Sequence, residues 1–118
     1  MKSPQKKGKD FEREIAKYLS NKFNTEVRRT PCSGAIHPFM PQDIICIDIE
    51  NILNRLHIEC KKSEKLNIWE VFEKTRKIAK VGKIPIVVWG KNFCNQALVV
   101  IGQYDFFDLI KEIEDIQG

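Results

Sequence analysis

The chain has 118 residues, 42% of them hydrophobic and 31% charged, with a formal net charge of +4. That length suits one compact domain, residues 1–118, and is too short for two; the composition excludes a disordered chain. No run approaches the ~20 apolar residues of a membrane span, and the N-terminal stretch from Met1 to Gly8 lacks an apolar signal core, so a cytoplasmic protein with no membrane partner is expected.

Phe11, Ile15, Tyr18 and Leu19 recur at helical spacing and predict a first helix from about Gly8 to Lys22, with Glu12 beside the apolar stripe at the edge of the core. Glu26 to Thr30 reads as a short strand. The segment from Pro31 to Pro41, with three prolines and a glycine, reads as a long loop. The β-branched runs Ile44–Ile49 and Arg55–Cys60 flank Glu50–Asn54 and predict a hairpin centred near Asn51. Asn67 is placed to cap a second helix with Ile68, Phe72 and Ala79 on its apolar side, ending at Gly82. Pro85–Trp89 reads as a strand inside the sheet, with Ala97–Ile101 as its partner across a turn. A last amphipathic helix carries Phe106, Leu109, Ile110, Ile113 and Ile116. The expected architecture is an α/β sandwich with a central mixed β-sheet, in the order α-β-β-β-α-β-β-α.

The hairpin carries the chemistry. A turn near Asn51 pairs position 43 with position 59, and alternation sets Glu59 and Lys61 on one face, so two carboxylates and an ammonium converge. An acidic residue two before a lysine is ordinary strand surface charge when it stands alone. The added Asp43 at the head of the preceding strand makes the set suit Mg²⁺ or Mn²⁺, with Lys61 to orient or deprotonate a water. Alternation also puts Asp43 on the face of Ile45 and Ile47, and Glu59 on that of His57 and Arg55, which calls for a bulge or an offset register.

The four cysteines, Cys32, Cys46, Cys60 and Cys94, have no CxxC spacing, and His37 and His57 are the only histidines, which argues against zinc and against a disulfide framework. Cys46 and Cys60 read as small buried residues, His37 and His57 as surface or packing groups, and Trp69 and Trp89 as core. Charge is uneven. Residues 1–104 hold 19 Lys and Arg against 11 acids, whereas residues 105–118 hold Lys111 against five acids. Clusters at Lys6, Lys7 and Lys9, at Arg28 and Arg29, at Lys61, Lys62 and Lys65, and from Lys74 to Lys83 form a basic surface suited to a polyanion. A solvated lysine-rich face is the competing explanation for any one cluster.

Taken together, Gly8–Ile15, Arg28–Ala35, Pro41-Gln42-Asp43, Ile58-Glu59-Cys60-Lys61, Asn67-Ile68-Trp69 and Pro85–Val88 give the chain a resemblance to the PD-(D/E)XK nuclease superfamily over nearly its whole length. Within it, the chain looks most like archaeal-type Holliday junction resolvases and related small phage nucleases. The resemblance implies a restriction-endonuclease-like core and a Mg²⁺-dependent endonuclease acting on branched DNA in recombination. It implies Glu12, Asp43 and Glu59 as metal ligands with the backbone carbonyl of Cys60, Lys61 at the attacking water, Ser33 in a loop near the junction, and Arg28 or Arg29 on phosphate. Lys7, Lys9 and Lys62 extend the DNA surface.

Two departures bear on substrate. Resolvases of this type tend to carry a glycine-rich loop before the Asp, where this chain has the stiffer Ala35–Gln42, and many related phage nucleases carry a glutamine near Lys74. A less structure-selective phage-type endonuclease or nickase, a DNA-binding protein with a decayed site, and a partner protein are the alternatives. Retention of Glu12, Asp43, Glu59 and Lys61 argues against decay, since binding alone disfavours a repulsive carboxylate cluster. Paired incision of a junction, together with the apolar Phe39, Met40, Phe93, Phe106 and Phe107, points to a homodimer. Phe93 and Phe107 folding back onto the monomer is the competing reading.

Overall fold

The computed structural model describes residues 3–31 and 42–118. The Pro31–Pro41 loop reading, with Ser33, His37, Phe39 and Met40, therefore lies largely outside the described residues.

Helix α1 spans Pro4–Phe23, opening where the Ser3 hydroxyl accepts the Lys6 N–H and closing at Asn24 in the left-handed region (φ 49°). It starts four residues before the expected Gly8, because its first turns are polar and carry no apolar period. Strand β1 (Val27–Arg29) pairs antiparallel with β2 (Ile44–Cys46), and β2 pairs antiparallel with β3 (Leu56–Lys62). Between β2 and β3 the chain forms a 3₁₀ turn, Ile52–Arg55, capped by Asn51, whose side chain accepts the Leu53 N–H. The expected strand to Ile49 thus stops at Cys46, with Ile47 and Ile49 exposed.

Helix α2 spans Ile68–Ile78, and Asn67 caps it as expected by accepting the Glu70 N–H at 3.2 Å. It connects β3 to β4 (Ile84–Gly90), which run parallel and so require such a crossover. Strand β5 (Leu98–Ile101) returns antiparallel to β4, and α3 spans Gln103–Gln117. The sheet order is β1-β2-β3-β4-β5, a mixed five-stranded sheet compatible with a restriction-endonuclease-like core. No described helix is long and apolar enough to cross a membrane.

The sheet's two faces differ in kind. Ile58 and Cys60 of β3, Ile86 and Val88 of β4, Val27 and Ile44 pack with Phe11 and Ala16 of α1 into an apolar core. The approach is close at Gly90, where an added Cβ would stand 2.8 Å from the Phe11 ring. The alternate residues His57, Glu59 and Lys61 face the other way, toward α2.

Several expectations need correction. No residue of α3 is buried: the helix forms from its own periodicity, yet Phe106 is 43% exposed and Ile116 85%. A two-bond ion pair from Arg55 to Glu112 (3.0 and 3.3 Å) ties α3 to the head of β3, and both side chains are about half exposed. Phe93 and Phe107 do not fold back but stay exposed. Trp69 is 77% exposed rather than core, because it lies on the side of α2 turned from the sheet, whereas Trp89 is half-buried and donates its indole N–H to the Ser63 carbonyl at 2.8 Å. Cys60 is buried, but Cys46, near the sheet edge, is only half so.

Candidate active site

Asp43 sits just before β2, and its main chain is fixed on both sides. Its N–H donates to the Ile58 carbonyl at 3.0 Å, and its carbonyl accepts the Thr30 N–H at 2.7 Å. The ladder pairs Ile44 with Ile58, and Asp43, just outside the paired strand, brings its carboxyl near that of Glu59. In a regular strand the N–H and C=O of one residue point to the same neighbour, whereas those of Asp43 point to opposite sides, so the chain is locally irregular at Asp43, in keeping with the expected bulge or offset. The Asp43 and Glu59 carboxyls nonetheless lie close enough to act on each other.

The pair is electrostatically costly. Asp43 accepts the Cys60 N–H through Oδ2 at 2.8 Å, a bond that favours its charged form. Burial outweighs it, and with the Glu59 and Glu12 charges and a hydrogen bond to Glu59 it pushes the Asp43 carboxyl up to about 8. Burial foremost, then the same carboxylates, holds the Cys60 thiol above the ordinary cysteine range. Glu59 is largely covered, and its Oε2 is buried with no hydrogen-bond partner among the described residues.

Glu12 reaches the same neighbourhood from α1, close enough to act on Asp43, but is itself held by Arg29, whose Nε donates to Oε1 at 3.1 Å with both side chains about four-fifths covered. Arg29 is thereby committed to the carboxylate group, while Arg28 points to the opposite face, exposed and paired with Glu26 at 2.9 Å. Lys62 also leaves the Glu59 face, its ammonium lying 5.1 Å above the Phe11 ring. Lys7 and Lys9 lie on the early turns of α1, Lys9 exposed. Ser33 lies outside the described residues.

Beside Glu59 a cleft of about 460 Å³ opens between β3 and α2, lined by Glu59, Lys61, Val71, Lys74, Thr75, Lys77 and Ile78. Lys61 has no ion-pair partner among the described residues, and Lys74 is paired with Glu70 at 3.2 Å. The sequence marked Lys74 and Lys77 only as members of a basic run. That they meet Lys61 follows from the α2 crossover. His57 was read as a surface or packing group; it is fully buried, with its Nε2 3.9 Å from Glu59 Oε2. Its place two residues before Glu59, on the same face, was the available signal.

No three His, Cys, Asp or Glu side chains among the described residues form a metal cage by themselves. The donors nonetheless suit a hard divalent cation. Two carboxyl groups that raise each other's cost of ionising, one with an orphaned buried oxygen, have no positive partner among the described residues, and Mg²⁺-type ions commonly take one or two carboxylates and complete their shell with water and substrate phosphate.

No curated protein and no solved structure matches the chain. The family model described as "Phage putative PDDEXK endonuclease" matches residues 3–112, nearly the full length. An Asp just before one strand and a Glu in the middle of the next, with Lys61 two residues on, form the pattern for which that nuclease superfamily is named, and the chain belongs to this phage PD-(D/E)XK endonuclease family.

Proposed function

We propose that the protein is a divalent-metal-dependent endonuclease that hydrolyses DNA phosphodiester bonds at the Asp43–Glu59 pair. The observation that carries this reading is the pairing itself: Asp43 is pushed up to about 8 by burial and by Glu59, a cost without structural purpose unless a cation joins the pair. Asp43, Glu59 and the Cys60 carbonyl would hold Mg²⁺ or Mn²⁺, with Glu12 released from Arg29 as a further ligand. The ion would polarise the phosphate and lower the pKa of a bound water. Asp43 is aimed by the Cys60 N–H, and Glu59 by its place on β3. Lys61, free of ion pairs among the described residues, orients the attacking water or takes its proton. Lys74 and Lys77 along the cleft, with Lys7, Lys9, Lys62 and Arg28 beyond it, attract the phosphate backbone.

For substrate, branched DNA of the Holliday-junction type is the finer reading, supported by the resemblance in the sequence. It goes with a homodimer, since one chain offers one site and paired incision needs two. The exposed Leu98, Val99, Phe106, Phe107, Ile110 and Ile113 support self-association. The phage family match favours a second reading, a phage-encoded endonuclease or nickase with less structure selectivity. One gel assay decides among them, comparing a four-way junction, a flap, a nicked duplex and linear duplex with Mg²⁺ or Mn²⁺. Junction cutting at paired positions by a dimer supports the first reading, and single nicks on all four substrates by a monomer support the second. Binding without cleavage under any divalent cation overturns both.

A further inference from the structure

The α2 face of β3 holds a polar group that the proposed chemistry leaves unused. His57 is fully buried, and neither ring nitrogen has a hydrogen-bond partner among the described residues. Buried polar side chains are almost always satisfied, so two orphaned nitrogens in one ring require a reason. Packing does not supply one. His57 lies in register with Pro85, and Val87, Thr75 and Val71 belong to the same layer, where an apolar residue of similar volume would fill the space without removing two polar atoms from water. The nearby Thr75 hydroxyl donates to the Val71 carbonyl at 2.8 Å and makes no hydrogen bond with the ring.

The ring does face one acceptor. His57 Nε2 lies 3.9 Å from Glu59 Oε2, and that oxygen is itself buried and unpartnered among the described residues. The gap is about an ångström too long for a hydrogen bond. A donor and an acceptor, both dry and both unsatisfied, therefore stand one small side-chain rotation apart. Strand alternation makes the arrangement obligatory, since residues 57 and 59 of β3 share a face.

We infer that His57 is a positioning residue for Glu59: its Nε2–H engages one oxygen of that carboxylate and so presents the other to a divalent cation. A histidine in this place fixes which oxygen is free and restricts rotation of the carboxylate, the outer-shell role that commonly changes metal affinity by 10- to 100-fold. The inference rests on the reading of Asp43 and Glu59 as a cation-holding pair. It adds a residue that neither the sequence motif nor the family match points to.

Isothermal titration calorimetry with Mn²⁺ on metal-free protein, paired with thermal unfolding, tests it. His57→Leu is expected to unfold at a higher temperature than wild type without metal, since two orphaned nitrogens are gone, yet to bind Mn²⁺ about tenfold or more weakly. His57→Gln, whose amide nitrogen stands where Nε2 does, is expected to keep most of the affinity. His57→Asn, whose amide matches Nδ1 instead, is expected to lose it. If His57→Leu does not fold, the Gln and Asn variants decide, being alike in polarity and different in reach. Equal Mn²⁺ affinity in wild type, Leu and Asn, or equal loss in Gln and Asn, overturns the inference while leaving the carboxylate site standing. A wild type that binds no Mn²⁺ overturns the carboxylate reading, and this inference with it.

Discussion

The two faces of β3 are built from alternate residues of the same seven-residue strand and have opposite physical characters. Ile58 and Cys60 enter the apolar core under α1, packed with Phe11, Ala16, Ile86 and Val88. His57, Glu59 and Lys61 turn toward α2, where the layer holds an unsatisfied imidazole, a carboxylate pair and a lysine-rimmed cleft. One face carries the stability that lets the other keep groups that repel each other. Strain at a site of this kind is sustained by packing elsewhere in the molecule.

The comparison breaks first, and most visibly, on the α2 face. Asp43→Asn or Glu59→Gln is expected to remove cleavage while DNA binding persists or tightens through reduced repulsion, and chelation of divalent metal should do the same. Wild-type cleavage rates from both purified variants would remove the site from this face. Lys61→Ala is expected to slow cleavage by about 10²–10⁴-fold with the fold unchanged. A drop in DNA affinity alone would reassign Lys61 to phosphate positioning.

Substitutions on the α1 face should do the reverse. Phe11→Ala is expected to cost about 3–5 kcal/mol of stability, and Gly90→Ala about 1–3 kcal/mol, because the new methyl meets the Phe11 ring. Denaturant melts measure both. Gly90→Ala should leave the rate per folded molecule near wild type, and a large loss of rate at full stability would show that the two faces are not separable.

The smallest expected effect is on pH dependence. Asp43 holds its proton up to about 8, whereas an unperturbed aspartate releases it near 3.8, so the folded chain binds that proton more tightly than the unfolded chain does. The contribution is fully present below about 3.8 and is lost as pH rises through about 8, so metal-free protein should lose stability across that window. Asp43→Asn cannot ionise and should flatten the slope. Melting curves in chelator that keep the same slope in the variant would place the titration elsewhere.

Periodicity and capping are local, and the sequence alone specified what depends on them. The α-β-β-β-α-β-β-α order, the Asn67 cap and the approach of Asp43 to Glu59 could all be read from spacing, because a two-residue strand period and a short connection leave few registers. The 3₁₀ turn at Ile52–Arg55 was missed because β-branched Ile47 and Ile49 continue a strand pattern past the end of pairing. Other features depend on partners distant in the chain. Arg29 turns to Glu12 across 17 residues, Lys74 and Lys77 join Lys61 through the crossover, and α3 keeps an apolar stripe that the described residues cover only in part. His57 marks the division most clearly: its residue type and face follow from the strand, but its complete burial beside an orphaned carboxylate oxygen exists only once α2 closes over the sheet. A local pattern specifies which way a side chain points, whereas burial, charge pairing and the cost of an unmet hydrogen bond belong to the packed neighbours it meets there.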